Sequence, residues 1–89
     1  MTQQLSKKRT DKILITILNF FIEEDKTKFN LTDINKICSY HKLYDVWEQK
    51  RIVKIAEQMG ILINAGAFYE INIKLPEAIA LIQRLINEN

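Results

Sequence analysis

The sequence predicts a mainly α-helical domain with a small β-hairpin, an α+β fold, and three observations lead to it. Four segments carry apolar residues at helical spacing. Between the third and fourth the period shortens to two around a glycine. The chain has only one proline and two glycines, so Pro76, Gly60 and Gly66 act as punctuation. At 89 residues it is read as one domain, 1–89, with a single small core and little room for an elaborate catalytic pocket.

The first helix is predicted from Ser6 or Thr10, either of which can cap its start, to Glu24, with Ile13, Leu14, Ile17, Leu18 and Phe21 as its core stripe. Ile15, Phe20 and Ile22 lie outside that stripe, so the helix asks for cover on a second face. Residues 1–9 read as a flexible basic arm. The run Ile13 to Ile22 superficially resembles the apolar part of a signal peptide. No small-residue cleavage site follows it, however, and Glu23, Glu24 and Asp25 end it well short of a bilayer span.

Phe29 and Asn30 suit a short extended segment, and Thr32 is placed as the cap of a second helix over Asp33 to Ser39, with Ile34, Ile37 and Cys38 inward. Tyr40 to Tyr44 is the turn. Asp45 followed by Glu48 matches a capping-box spacing, which predicts a third helix over Val46 to Met59 with Gly60 as its C-terminal cap. Ile61 to Ile63 and Ala67 to Ile73 then read as a hairpin around Asn64-Ala65-Gly66, with Tyr69, Ile71 and Ile73 sharing a face. Pro76 suits the first turn of a last helix, Pro76 to Asn87, whose stripe is Leu75, Ala78, Ile79, Ile82, Leu85 and Ile86.

Charge and chemistry narrow the function. Thirteen Lys and Arg against eleven Asp and Glu leave a net charge of only +2, so any nucleic-acid argument rests on distribution rather than total. Cys38 is the only cysteine, so no internal disulfide forms and the chain reads as cytoplasmic. His41, the only histidine, has no acidic or thiol ligand beside it at metal spacing. A Cys38/His41 nucleophilic pair lacks any activating group, and a buried core cysteine is the plainer reading. With no phosphate-cradling glycine loop, no nucleophile elbow and no carboxylate pair, neither an enzyme, a metal nor a cofactor is expected.

The element order, with Leu31-Thr32-Asp33-Ile34 opening the second helix and Ile55 to Leu62 closing the third, resembles the winged helix-turn-helix superfamily over nearly the whole chain. That resemblance implies a recognition helix followed by a hairpin wing. The additional terminal helices are similar to those of small dimeric regulators of the MarR-like kind, where they form the dimer interface. One feature departs from the pattern: Asn64-Ala65-Gly66 is short and carries no Lys or Arg, whereas DNA-binding wings often place a basic residue there.

Set on a wheel at about 100° per residue, the third helix turns Val46, Ile52, Val53, Ile55, Ala56 and Met59 to one side and Trp47, Lys50, Arg51, Lys54 and Gln58 to the other. Basic residues at these spacings beside an aromatic suit a helix in the major groove. The same residues also suit an ordinary solvated face, Glu57 lowers its potential, and Trp47 has the option of folding onto Tyr44. Lys7, Lys8, Arg9 and Lys12 form the densest basic cluster, and together with Lys36 and Lys42 they are candidates for DNA-backbone contacts. Ile15, Phe20, Ile22, Leu81 and Leu85 are candidates for a dimer interface.

The sequence therefore sets up a small transcriptional regulator that binds double-stranded DNA as a homodimer, with half-sites about 34 Å apart or a multiple of it. The alternative is a protein-interaction module within a replication, transcription or viral assembly. The uncharged hairpin tip and the low net charge favour that alternative.

Overall fold

The computed structural model describes residues 6–88. It is mainly helical with a small three-stranded antiparallel sheet: α1 (Lys7–Glu24), β1 (Lys28–Phe29), α2 (Leu31–Tyr40), α3 (Val46–Gln58), β2 (Leu62–Asn64), β3 (Tyr69–Ile71) and α4 (Leu75–Asn87). The sheet order is β1-β3-β2, so the first short strand closes onto the far side of the later hairpin. Lys28 faces Glu70 and Phe29 faces Tyr69 on one side of β3, while Leu62, Ile63 and Asn64 face Ile71, Glu70 and Tyr69 on the other.

Helix starts follow capping chemistry. Ser6, not Thr10, caps α1: its Oγ accepts from the Arg9 N–H at 3.1 Å, and the Thr10 hydroxyl donates to the Ser6 carbonyl. Lys7, Lys8 and Arg9 are therefore helical rather than part of a flexible arm, and the first five residues of the expected arm lie outside the described residues. Asn30, not Thr32, caps α2. Its Oδ1 accepts from the Asp33 N–H at 2.8 Å and the Asp33 carboxylate accepts from the Asn30 N–H at 3.0 Å, a reciprocal box that starts the helix two residues earlier than expected. Asp45 caps α3 by accepting from the Trp47 and Glu48 N–H groups.

Two helices end alike. After α3 the Gly60 N–H donates to the Glu57 carbonyl and the Ile61 N–H to the Ala56 carbonyl, with Gly60 at φ +77° and Ile61 buried. After α2 the Lys42 N–H donates to Ser39 and the Leu43 N–H to Cys38, with Lys42 at φ +62° and Leu43 buried. Both are left-handed closures that turn an aliphatic residue back into the core, and only one uses the glycine such a closure prefers.

The core joins Ile13, Leu14, Ile17 and Leu18 of α1 to Phe29, Ile34, Ile37, Cys38, Ile52, Ala56, Ile61, Leu62, Ala78, Leu81 and Leu85. α1 packs most extensively on α4, and the start of α1 lies beside the end of α4, where Lys7 Nζ stands 3.4 Å from Glu88 Oε2. The second apolar face of α1 is thus partly covered within the chain. This corrects the expected dimer interface at Leu81 and Leu85, which are buried core residues; Ile15, Phe20 and Ile22 are half-buried against the core. The apolar residues of α4 left outward are Leu75, Ile79 and Ile86, with Ile82 half-buried between them.

Candidate nucleic-acid interface

The helical period places Ile52, Val53 and Ala56 of α3 in the core together with one polar residue, Gln49. Gln49 Nε2 donates to the Leu43 carbonyl at 2.9 Å inside the protein, which ties α3 to the α2–α3 turn and sets the rotation of the helix about its axis. With that rotation set, Trp47, Lys50, Arg51, Lys54 and Gln58 are all exposed, Trp47 at 73%. Trp47 does not fold into the core. Val46, expected on the inner arc, is 60% exposed, because Gln49 and not Val46 fills the first inward position of α3.

The five outward side chains are partly engaged with each other. Lys50 Nζ lies 5.0 Å from the centroid of the Trp47 ring, close enough for the ring face to hold the ammonium. Arg51 Nη1 stands 3.3 Å from Glu48 Oε1, so one carboxylate offsets part of the positive face, while Glu48 Oε2 is buried with no hydrogen-bond partner among the described residues. Next to this face a cleft of about 440 Å³ runs between α2, α3 and β3, with Leu31, Ile34, Val46, Val53 and Tyr69 on its apolar side and Lys50, Lys54 and Glu57 on its rim.

The hairpin loop between the paired Asn64 and Tyr69 is Ala65-Gly66-Ala67-Phe68, one residue further along than the expected tip. It is ordered by the Gly66 N–H donating to Asn64 Oδ1 and the Ala65 N–H donating to the Phe68 carbonyl. The loop itself has no cation, but Lys28 of β1 sets its Nζ 5.0 Å from the centroid of the Phe68 ring. A basic group therefore stands at the hairpin after all, delivered by strand pairing. Nothing in the sequence signals this, since a two-residue strand leaves no periodicity to read.

The candidate backbone contacts separate into groups. Lys7 is taken up by Asp11, at 2.8 Å, and by Glu88, and the Asp11 hydrogen bond raises its pKa, so it is a latch between α1 and α4 rather than a free cation. Lys8, Arg9 and Lys12 line a cleft of about 290 Å³ with Ser6 and His41. Lys36 lies on a different cleft, of about 480 Å³, whose other walls include Glu23 and Glu24. Lys42 is exposed in the turn.

Cys38 is buried, and burial pushes its thiol pKa up to about 11, so it is held as a neutral core group. His41 is held elsewhere, by Thr16. Among the described residues no group of three or more His, Cys, Asp or Glu side chains is placed to hold a metal ion, and no helix is long and apolar enough to cross a membrane. No protein-family model matches the chain, and neither a curated protein nor a solved structure matches it.

Proposed function

We propose that the chain is a winged helix-turn-helix domain that binds double-stranded DNA through the outward face of α3, as a homodimeric transcriptional regulator of the cytoplasm and not as an enzyme. The observation that carries this reading is the exposure of Trp47, Lys50, Arg51, Lys54 and Gln58 on one side of a helix whose other side is locked into the core. The order α1-β1-α2-α3-β2-β3 with sheet order β1-β3-β2 supports it, since it sets a hairpin directly after the helix pair.

The homodimer rests on α4. Leu75, Ile79, Ile82 and Ile86 follow one another at spacings of four, three and four, the seam of a helix that pairs with another helix. Pro76, Ala80, Gln83 and Asn87 flank the seam on the helical wheel, and Glu77, Arg84 and Glu88 lie on the opposite side. A second copy therefore meets this face without opposing like charges.

The test is titration with random-sequence duplex DNA at two salt concentrations, followed by the fluorescence of Trp47, the only tryptophan. Binding that weakens steeply with salt supports the reading. Substituting Lys50, Arg51 and Lys54 together by Ala lowers the affinity and reduces the salt slope by about one unit per lost phosphate contact.

The α2–α3 cleft favours a second reading, a protein partner. Leu31 and Val46 are more than half exposed beside it, an unusual position for aliphatic residues on a face that only contacts phosphates. Under that reading duplex DNA does not bind at low salt, and Leu31→Asp abolishes partner capture while leaving the fold intact.

A further inference from the structure

The cleft at the start of α1 is separate from the α3 face and is built differently. It is lined by Ser6, Lys8, Arg9, Lys12 and His41, so four of its five walls are basic groups and none is a carboxylate. Among the described residues, Lys8, Arg9 and Lys12 form no ion pair, in contrast to Lys7 one position earlier. The helical period explains the division. Lys8 and Lys12 are four apart, on the same side of α1 as Arg9, whereas Lys7 and Asp11 occupy the next row, toward α4.

His41 closes the cleft from the end of α2, and its position is fixed. Its Nε2 lies 2.7 Å from Thr16 Oγ1, whose hydroxyl also reaches the Lys12 carbonyl at 2.9 Å. Both contacts are satisfied when the Thr16 proton goes to the carbonyl and His41 donates Nε2–H to the oxygen, which leaves Nδ1 to take up a proton. The Tyr40 ring stands edge-on to the imidazole at 5.1 Å, and Lys42 follows in the chain.

We propose that this cleft is an oxyanion site that takes a phosphate group, held by Lys8, Arg9 and Lys12, and that binding is coupled to protonation of His41. Three cations without an ion-pair partner among the described residues, and a histidine, around one small open cleft concentrate positive potential that a tetrahedral phosphate anion neutralises. Burial and the neighbouring Lys12 charge hold the His41 pKa below its usual value in the free protein. An anion in the cleft offsets that charge and lets the imidazole protonate, so affinity rises as pH falls. The phosphate comes either from a nucleic-acid backbone or from a free phosphate. The first source rests on the DNA-binding reading above; the oxyanion site does not.

His41 is the only histidine, so its ring proton resonances report the site without ambiguity. The titration is followed by NMR in sulfate, which stays dianionic throughout, and in chloride of equal ionic strength. The site is supported if sulfate raises the His41 pKa by about one unit more than chloride does, and if Lys12→Gln removes that difference. In the absence of sulfate, Lys12→Gln also raises the His41 pKa, which confirms that the exposed substitution reports on an intact neighbourhood. Equal shifts in sulfate and chloride overturn the proposal.

Inorganic phosphate and a short duplex then separate the sources. Duplex binding that moves both Trp47 fluorescence and the His41 resonances assigns the cleft to the DNA backbone. Duplex binding that moves Trp47 alone, with no sulfate effect, sinks the cleft and leaves the α3 reading standing. A phosphate shift without any duplex binding sinks the α3 reading and leaves the cleft as a free-phosphate site.

Discussion

Gln49 Nε2 donates to the Leu43 carbonyl at 2.9 Å, and this buried hydrogen bond, together with the buried Ile52, Val53 and Ala56, keeps the opposite, candidate DNA face of α3 outward. Replacing Gln49 by Leu leaves the carbonyl without a donor in an environment that water does not reach. The expected loss is about 1–3 kcal/mol of folding stability, read from urea denaturation. An unchanged midpoint would mean that the turn finds another partner.

The left-handed closures after α2 and α3 predict substitutions of opposite sign. Lys42→Gly relieves a side chain at φ +62° and should stabilise by about 1 kcal/mol. Gly60→Ala imposes a side chain at φ +77° and should destabilise by about 1 kcal/mol; since no atom lies within 4 Å of the added Cβ, the cost is conformational alone. Thermal melts of the two variants against the parent decide both.

Acid sensitivity should appear in two separate steps. His41 has a folded pKa below its ordinary 6.5, through burial and then the Lys12 charge, so its contribution is complete above that pH and is lost as pH falls toward the folded value. Burial disfavours ionisation of Asp33, but the Asn30 N–H and Lys26 outweigh it and hold the carboxyl below its ordinary 3.8. That second contribution is present above pH 3.8 and is lost below it. Urea midpoints across pH should fall below 6.5 and again below 3.8, and His41→Gln should remove the upper step only.

Assembly and stability should separate on α4. Ile86→Glu places a charge on the outward seam at a residue 57% exposed and should convert a dimer to a monomer by light scattering, with stability of the fold little changed. Leu85→Ala removes a buried side chain and should cost about 2–5 kcal/mol. A parent that scatters as a monomer at tens of micromolar would remove the homodimer from the proposal.

Much of this architecture is legible in the residues alone. The four helices, the hairpin and the Asp45 and Gly60 boundaries follow from local rules: a 3.6-residue period, side-chain oxygens that cap free N–H groups, and a glycine where φ turns positive. The split of α3 into a buried and a basic face follows for the same reason, because one helix dictates which residues share a side. The one misplaced cap is a local error: Asn30 and Thr32 offer the same chemistry two residues apart at the start of α2, whereas Ser6, one of the two candidates for α1, is the cap.

What depends on distant parts of the chain was settled only by the tertiary structure. Lys28 reaches Phe68 because β1 pairs with β3, Phe29 with Tyr69, across the 39 residues between them. Lys7, already paired with Asp11 one turn along α1, gains a second partner because Glu88, at the other end of the chain, comes to lie beside it. Leu81 and Leu85 are core rather than interface because α4 folds onto α1, and His41 joins the Lys8–Lys12 row because Thr16 lies 25 positions before it. The sequence by itself determined the elements and their faces, since hydrogen bonding and periodicity act over a few residues. Packing decided which cations are paired and which apolar faces remain open, because those outcomes depend on which elements meet.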